Sequence, residues 1–159
     1  MELDLTPPVT TGAGPCGLRI ERIGMDRFPE IVRLNEEVFG DDRVIFRLDR
    51  RDLLLLLATD ADTGEAVGFK VGYGETATVF YSAKGGVVES RRRTGVAKAL
   101  LERMMEEVRA MGYRRFAYDT FPNKHPGMTV LGLAEGFRVV AAGYNAAYRD
   151  YRIRFEKRL

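Results

Sequence analysis

The stretch VVESRRRTGVAKALLERMMEEV, residues 87–108, carries most of what the sequence says about fold and function. It passes from β-branched residues, through a basic turn holding one glycine, into an amphipathic run. Val96, Leu100, Leu101, Met104, Met105 and Val108 recur at helical spacing, so a helix is expected from about Thr94 to Met111, with Gly112 at its exit. The first amides of a helix lack intrahelical acceptors and the macrodipole adds positive potential, which suits the junction to a phosphate. Gly95 lets the backbone approach closely, and Arg92, Arg93 and Lys98 add donors and charge. The same spacing also fits a solvated arginine cluster in front of an ordinary helix.

Upstream of this stretch, Thr76 to Glu89 is rich in β-branched and aromatic residues and reads as a long strand, with Gly85-Gly86 as the place for a bulge or bend. Before it, Leu53 to Thr59 and Ala66 to Gly74 form a hairpin across DADTGE. The segment Asp41 to Asp52 is charge-rich with scattered apolar residues and is expected as a short helix over a cleft. Phe28, Ile31, Val32, Leu34, Val38 and Phe39 place an amphipathic helix after Asp26, a cap, and before Gly40. The alternation in LRIERI opens the domain at Leu18, and Thr6 to Gly17, with three prolines and three glycines, reads as a flexible arm.

Downstream, Arg114 to Phe121 alternates as a strand, Met128 to Glu135 reads as a helix, Phe137 to Ala142 as a strand, and YRIRFEKRL closes the chain as another. Strands in a meander, followed by strands alternating with helices, imply an α/β or α+β class with helices packed on a mixed sheet. The expected organisation is an arm over residues 1–17 and one domain over 18–159.

Composition narrows the function classes. With 159 residues, 45% hydrophobic, the chain supports one sizeable core. The formal net charge of +2 makes no demand for nucleic acid or an anionic membrane, so no nucleic-acid partner is expected. Cys16 is the single cysteine and no Cys/His cluster has zinc spacing, so no metal is expected and a reducing, cytoplasmic setting fits. The N-terminus lacks a secretory pattern, and the apolar run Leu53 to Leu57 is far too short for a membrane span. There is no Walker A loop. Gly12, Gly14 and Gly17 formally match a dinucleotide fingerprint but lead into a strand rather than a helix, and that reading is rejected.

Arg92-Arg93-Thr94-Gly95-Val96-Ala97 fits [QR]-x-x-G-x-[GA] between a long strand and an amphipathic helix, and here the sequence resembles the GNAT superfamily of N-acetyltransferases over about Leu18 to Leu159. The resemblance implies a mixed, largely antiparallel sheet flanked by helices, with acetyl-coenzyme A as co-substrate. It implies that Arg92 opens a loop in which the amides of Arg93, Thr94, Gly95, Val96, Ala97 and Lys98 hold the pyrophosphate. It further implies that Val87, Val88 and Glu89 form the strand edge for pantetheine, that an N–H near Val87 polarises the thioester carbonyl, and that Asn123 lies near the pantetheine arm. The acceptor would be a primary amine of a small molecule or peptide.

One departure stands out. Where the family pattern L-Y-E-K-x-G-F often carries a tyrosine that protonates the departing thiolate, Leu131-Gly132-Leu133-Ala134-Glu135-Gly136-Phe137 has Gly132. Another group or water supplies that proton, the thiolate leaves unprotonated, or the chain is a weak catalyst; the sequence leaves all three open. Glu89 ranks first as the base for the amine proton, with Glu75 and Asp119 behind it; its bland reading is a surface glutamate paired with the following arginines. His125 in NKHPG reads as a solvated loop residue, and Tyr81 and Tyr118 as core. Two rival readings are a non-catalytic acyl-coenzyme A sensor and a nucleic-acid module using Arg91 to Arg93. Homodimerisation is a further possibility that no residue pattern assigns.

Overall fold

The alternation of Leu18, Ile20 and Ile23 with Arg19 and Glu21 produces β1 (Leu18–Ile23), the apolar set buried. The computed structural model describes residues 17–159, so the expected arm lies outside the described residues except for Gly17. A 3-10 turn leads into α1 (Phe28–Phe39), which buries Ile31, Leu34 and Asn35 and stops where Gly40 adopts a left-handed φ of 70°. The residue capping α1 is Arg27, and Asp26 lies inside the preceding turn, which corrects the expected cap; Pro29 in the first turn pre-sets the helical φ instead.

The remaining elements are β2 (Leu54–Asp60), β3 (Ala66–Gly74), β4 (Val79–Val87), a second 3-10 turn (Glu89–Arg91), α2 (Val96–Ala110), β5 (Arg115–Thr120), α3 (Pro126–Ala134), β6 (Arg138–Asn145) and β7 (Asp150–Arg158). The segment 41–52 contains bends and turns but no helix, contrary to expectation. Its own side chains compete for the backbone: Asp41 accepts from the Arg43 amide at 2.7 Å. Partners outside the segment hold it, with Lys84 Nζ donating to Arg43 O at 3.0 Å and Asn35 Nδ2 donating to Asp41 O.

The seven strands form one mixed sheet in the order β1-β2-β3-β4-β5-β7-β6, antiparallel everywhere except β4 against β5. Helices cover both faces. On one, a side chain at Gly86 would meet Val38 and Phe39 of α1; on the other, one at Gly68 would meet Val96 and Leu100 of α2 at 3.1 and 3.3 Å. All six residues of the expected α2 stripe are buried, each contributing roughly 1.5–3 kcal/mol by leaving water. Phe80 stacks on Phe116, and Phe116 and Tyr118 meet Phe137, so α3 and Phe137 after it close the α2 face over β5. Among the described residues no helix is long and apolar enough to cross a membrane.

Candidate active site

The site begins with a defect in β4. Val71 pairs with Lys84 but Gly72 pairs with Ser82, so Ala83 is the extra residue of a bulge. The distortion expected at Gly85-Gly86 therefore lies at Ala83: both glycines stay in register with Lys70 and Phe69, where their missing side chains give room to Lys70 and to α1. β5 accompanies β4 only from Val79 to Ser82, so at the bulge the parallel pair ends and the two strands part. From Lys84 to Val87, β4 is paired with β3 alone.

An antiparallel ladder alternates between hydrogen-bonded and non-hydrogen-bonded pairs. The Val88 amide donates to Val67 O at 2.9 Å, so the pairs 67/88 and 69/86 are bonded, and Gly85 and Val87 turn their N–H and C=O groups away from β3, into the fork. That is an unpaired strand edge within the sheet. Of the three residues read as this edge, Val87 faces the fork, Val88 directs its amide to β3, and Glu89 is already in the exposed 3-10 turn. Gly85 belongs to the edge and was not singled out from sequence, because the strand's register decides which residues face outward.

Below the fork lies the junction of β4 with α2. Arg93 has φ 61° and Gly95 φ 90°, two left-handed residues that turn successive amides toward one point. The first amide to find an acceptor in the helix is that of Ala99, on Gly95 O at 3.0 Å. Among the described residues, the amides of Arg93, Thr94, Gly95, Val96, Ala97 and Lys98 make no well-formed hydrogen bond to a protein acceptor. The loop is shaped by its side chains: Thr94 Oγ1 donates to Arg91 O, and Arg92 Nε donates at 3.2 Å to Val87 O, a carbonyl on the fork side. Arg91 is paired with Asp60, and this guanidinium, with the Asp62 and Thr63 amides, holds the Asp60 carboxyl below its usual range. Lys98 lies within 3.5 Å of Glu135 and 3.8 Å of Glu102. The arginine cluster is therefore divided, and Arg93 carries its unengaged charge among the described residues. Six free amides around a left-handed turn, with one cation beside them, fit a pyrophosphate.

The face of the fork on the α1 side is lined by polar groups. Tyr81 precedes the bulge and Asp119 is the first residue of β5 beyond the last β4 pair; the Tyr81 hydroxyl donates to Asp119 Oδ2 at 2.9 Å. Burial, and then the Asp119 charge and hydrogen bond, push the Tyr81 phenol well above its ordinary range. Arg154 lies 5.4 Å over the Tyr81 ring and donates to Glu75 at 2.7 Å, and Tyr73 meets Tyr81 edge to face. Tyr81 is thus a site-facing residue rather than core filling. Asn123, expected near the pantetheine arm, is exposed and donates to Asp150 at 2.9 Å, tying the loop after β5 to the start of β7. His125 caps α3 without a side-chain hydrogen bond. Among the described residues no His/Cys/Asp/Glu group has the arrangement of a metal site.

On the α2 side, the Gly132 position is filled from elsewhere. Tyr118 is buried, its hydroxyl donates to Met128 O at 2.9 Å, and a Cβ at Gly132 would lie 2.0 Å from that oxygen. Burial raises the Tyr118 phenol, so it stays protonated and committed to α3.

The sequence matches the family model described as the acetyltransferase (GNAT) family over residues 21–128. Comparison with curated proteins finds no match. Among solved structures, the fold is similar to an IAA acetyltransferase from Bacillus cereus (TM-score 0.76, 19% identity, 89% of this chain and 99% of that one). It is also similar to the ribosomal-protein-S18-alanine N-acetyltransferase of Escherichia coli (TM-score 0.74, 14% identity, 89% and 93%). A third similar structure is a GNAT family acetyltransferase from Elizabethkingia anophelis with acetyl-CoA bound (TM-score 0.73, 16% identity, 91% and 99%).

Proposed function

The chain belongs to the acetyltransferase (GNAT) family, and from that premise we propose that it transfers an acetyl group from acetyl-coenzyme A to a primary amine. The observation that carries this reading is the row of six free amides, Arg93 to Lys98, directly below the unpaired edge of β4. A pyrophosphate on those amides would be neutralised by Arg93 and by the N-terminus of α2. An extended pantetheine arm would run up the fork and bond to Val87 as an added strand does, leaving the thioester beside the outward-facing groups of Gly85. The Gly85 or Val87 N–H then polarises the carbonyl, and preorganised donors of this kind are worth a few kcal/mol where charge develops.

The amine approaches from the α1 side, where Tyr81 and Asp119 sit at the apex of the fork. We propose that the amine proton leaves to a carboxylate, either Asp119 on that side or, through water, Glu89 on the exposed turn. The division of the arginines favours this reading over nucleic-acid binding, since Arg91 and Arg92 are already engaged with Asp60 and Val87. A homodimer and a cytoplasmic location remain part of the proposal.

Calorimetric titration with acetyl-coenzyme A, beside the Gly95→Val variant, tests the donor site. Gly95 has φ 90°, which a β-branched residue cannot adopt without strain, so the variant is expected to lose binding by tenfold or more. Absence of binding by the unsubstituted protein would overturn the reading. Binding without thiol release across a panel of primary amines would favour the non-catalytic sensor.

A further inference from the structure

Lys70 lies at the centre of β3 and is 5% exposed. It stands opposite Gly85 in a non-hydrogen-bonded pair, the closest kind of cross-strand neighbour. Its side chain crosses the backbone of Gly85: a Cβ on Gly85 would lie 3.5 Å from Lys70 Cγ and 3.6 Å from Nζ. The ammonium is thereby carried from β3 over β4 toward the edge that β5 has left. The flanking positions on this face, Gly68 and Gly72, are closed to side chains by α2 and by the Phe80 ring, so the lysine lies in a track with one outlet.

No group compensates the charge. Across β2 its neighbour is Leu56, across β4 Gly85, and the α2 side chains over this face are Val96 and Leu100. Among the described residues Lys70 makes no hydrogen bond and no ion pair, and burial alone lowers its pKa from 10.5 to about 8. On the β5 side of the fork, the phenol on the same face is Tyr118, which is committed to Met128 O. A lysine buried along its stem with no counter-charge at its ammonium is costly, and a hydrophobic residue would fill the same track, so its position at the fork calls for a role.

We propose that Lys70 is the catalytic general acid of the transfer, protonating the departing sulfur from the β3 side of the fork in place of a phenol at Gly132. The inference rests on the acetyl-coenzyme A reading above. As the amine nitrogen bonds to the acetyl carbon, the carbon–sulfur bond breaks and its electron pair goes to sulfur. The Lys70 Nζ proton follows to that sulfur, and the neutral lysine is recharged from solvent. The amine's own surplus proton leaves on the α1 side. A thiol titrates near 8.5, so a donor near 8 is closely matched to the group it protonates. The acid must be protonated to act, so turnover falls as pH rises through about 8.

The test compares wild type with Lys70→Met and Lys70→Arg by two measurements. The first is the thiol pKa of bound coenzyme A, read from thiolate absorbance against desulfo-coenzyme A as blank; the second is the pH profile of kcat. In wild type the ammonium lowers the bound thiol pKa, and kcat shows an alkaline limb near 8. Lys70→Met abolishes the lowering and the limb and reduces kcat by roughly 10²-fold or more, with acetyl-coenzyme A affinity nearly unchanged. Lys70→Arg keeps the lowering but moves the limb out of range. A Lys70→Met protein that binds coenzyme A with the wild-type thiol pKa and retains the alkaline limb overturns the proposal. If Lys70→Met fails to fold, an unchanged limb in Lys70→Arg does the same. Wild type that binds no acetyl-coenzyme A overturns the donor-site reading itself, a distinct result.

Discussion

Lys70→Met is expected to make the protein more stable. The side chain nearly keeps its volume, one atom shorter, and the substitution removes the charge of a residue that is 5% exposed among Leu56, Gly85 and α2 with no counter-charge. Burial takes its pKa from 10.5 to about 8, and at about 1.4 kcal/mol per tenfold change the charged form costs roughly 3 kcal/mol of stability. The sign follows from proton counting. Between about 8 and 10.5 the unfolded chain holds the lysine proton and the folded chain does not, so stability rises with pH across that window. The cost is fully present below 8 and falls to roughly 1 kcal/mol near pH 10. Urea unfolding of wild type and variant at pH 7 and pH 10 reads this directly, the midpoint gap narrowing at the higher pH while the slope stays the same. A variant no more stable at pH 7, or a gap that does not change with pH, would refute the claim that Lys70 folds as a largely desolvated cation without a counter-charge. Gained stability together with lost turnover would mark the lysine as a strained group retained for chemistry.

Gly132→Ala is expected to destabilise by roughly 1–3 kcal/mol because its Cβ would sit 2.0 Å from the Tyr118 hydroxyl; Tyr118→Phe removes that oxygen, so the double variant should recover most of the loss in a thermodynamic cycle. Asp119→Asn should let the Tyr81 phenol titrate at lower pH, measured by tyrosinate absorbance, and should lower kcat more than Glu89→Gln does if Asp119 receives the amine proton. Asn35→Ala deletes the donor that holds Asp41 O, which should cost roughly 1–2 kcal/mol and raise the KM for an acceptor with little change in acetyl-coenzyme A binding.

The residues proposed to hold the pyrophosphate were legible because their role rests on local backbone geometry. Arg93 and Gly95 are left-handed and the following amides are free for reasons contained within a dozen consecutive residues, and the helix stripe after them has a period that reads directly. The ends of α1 and α2 followed from Gly40 and Gly112 in the same way. The segment 41–52 did not, because what holds it are partners far along the chain, Asn35 and Lys84. Nor did the bulge: Gly85-Gly86 looked like the weak point of β4, whereas Ala83 takes the extra residue and the glycines serve neighbours on opposite faces.

Lys70 shows where reading the sequence alone stops. In AVGFKVGYG the apolar residues Val67, Phe69 and Val71 fall on one face and Gly68, Lys70 and Gly72 on the other, the pattern of a strand with one face in water. The glycines instead let α2 and Phe80 close over that second face, so a lysine that reads as solvated is buried. Period and turn chemistry, which belong to neighbours in the chain, determined the helices, most of the strands and the proposed phosphate-binding junction. Which strand edge stays open, which carboxylate stands at the fork and which lysine is largely buried are set by register and by the contact of distant elements. Those are decided when the sheet pairs and the helices dock upon it, because burial and pairing are properties of the assembled chain.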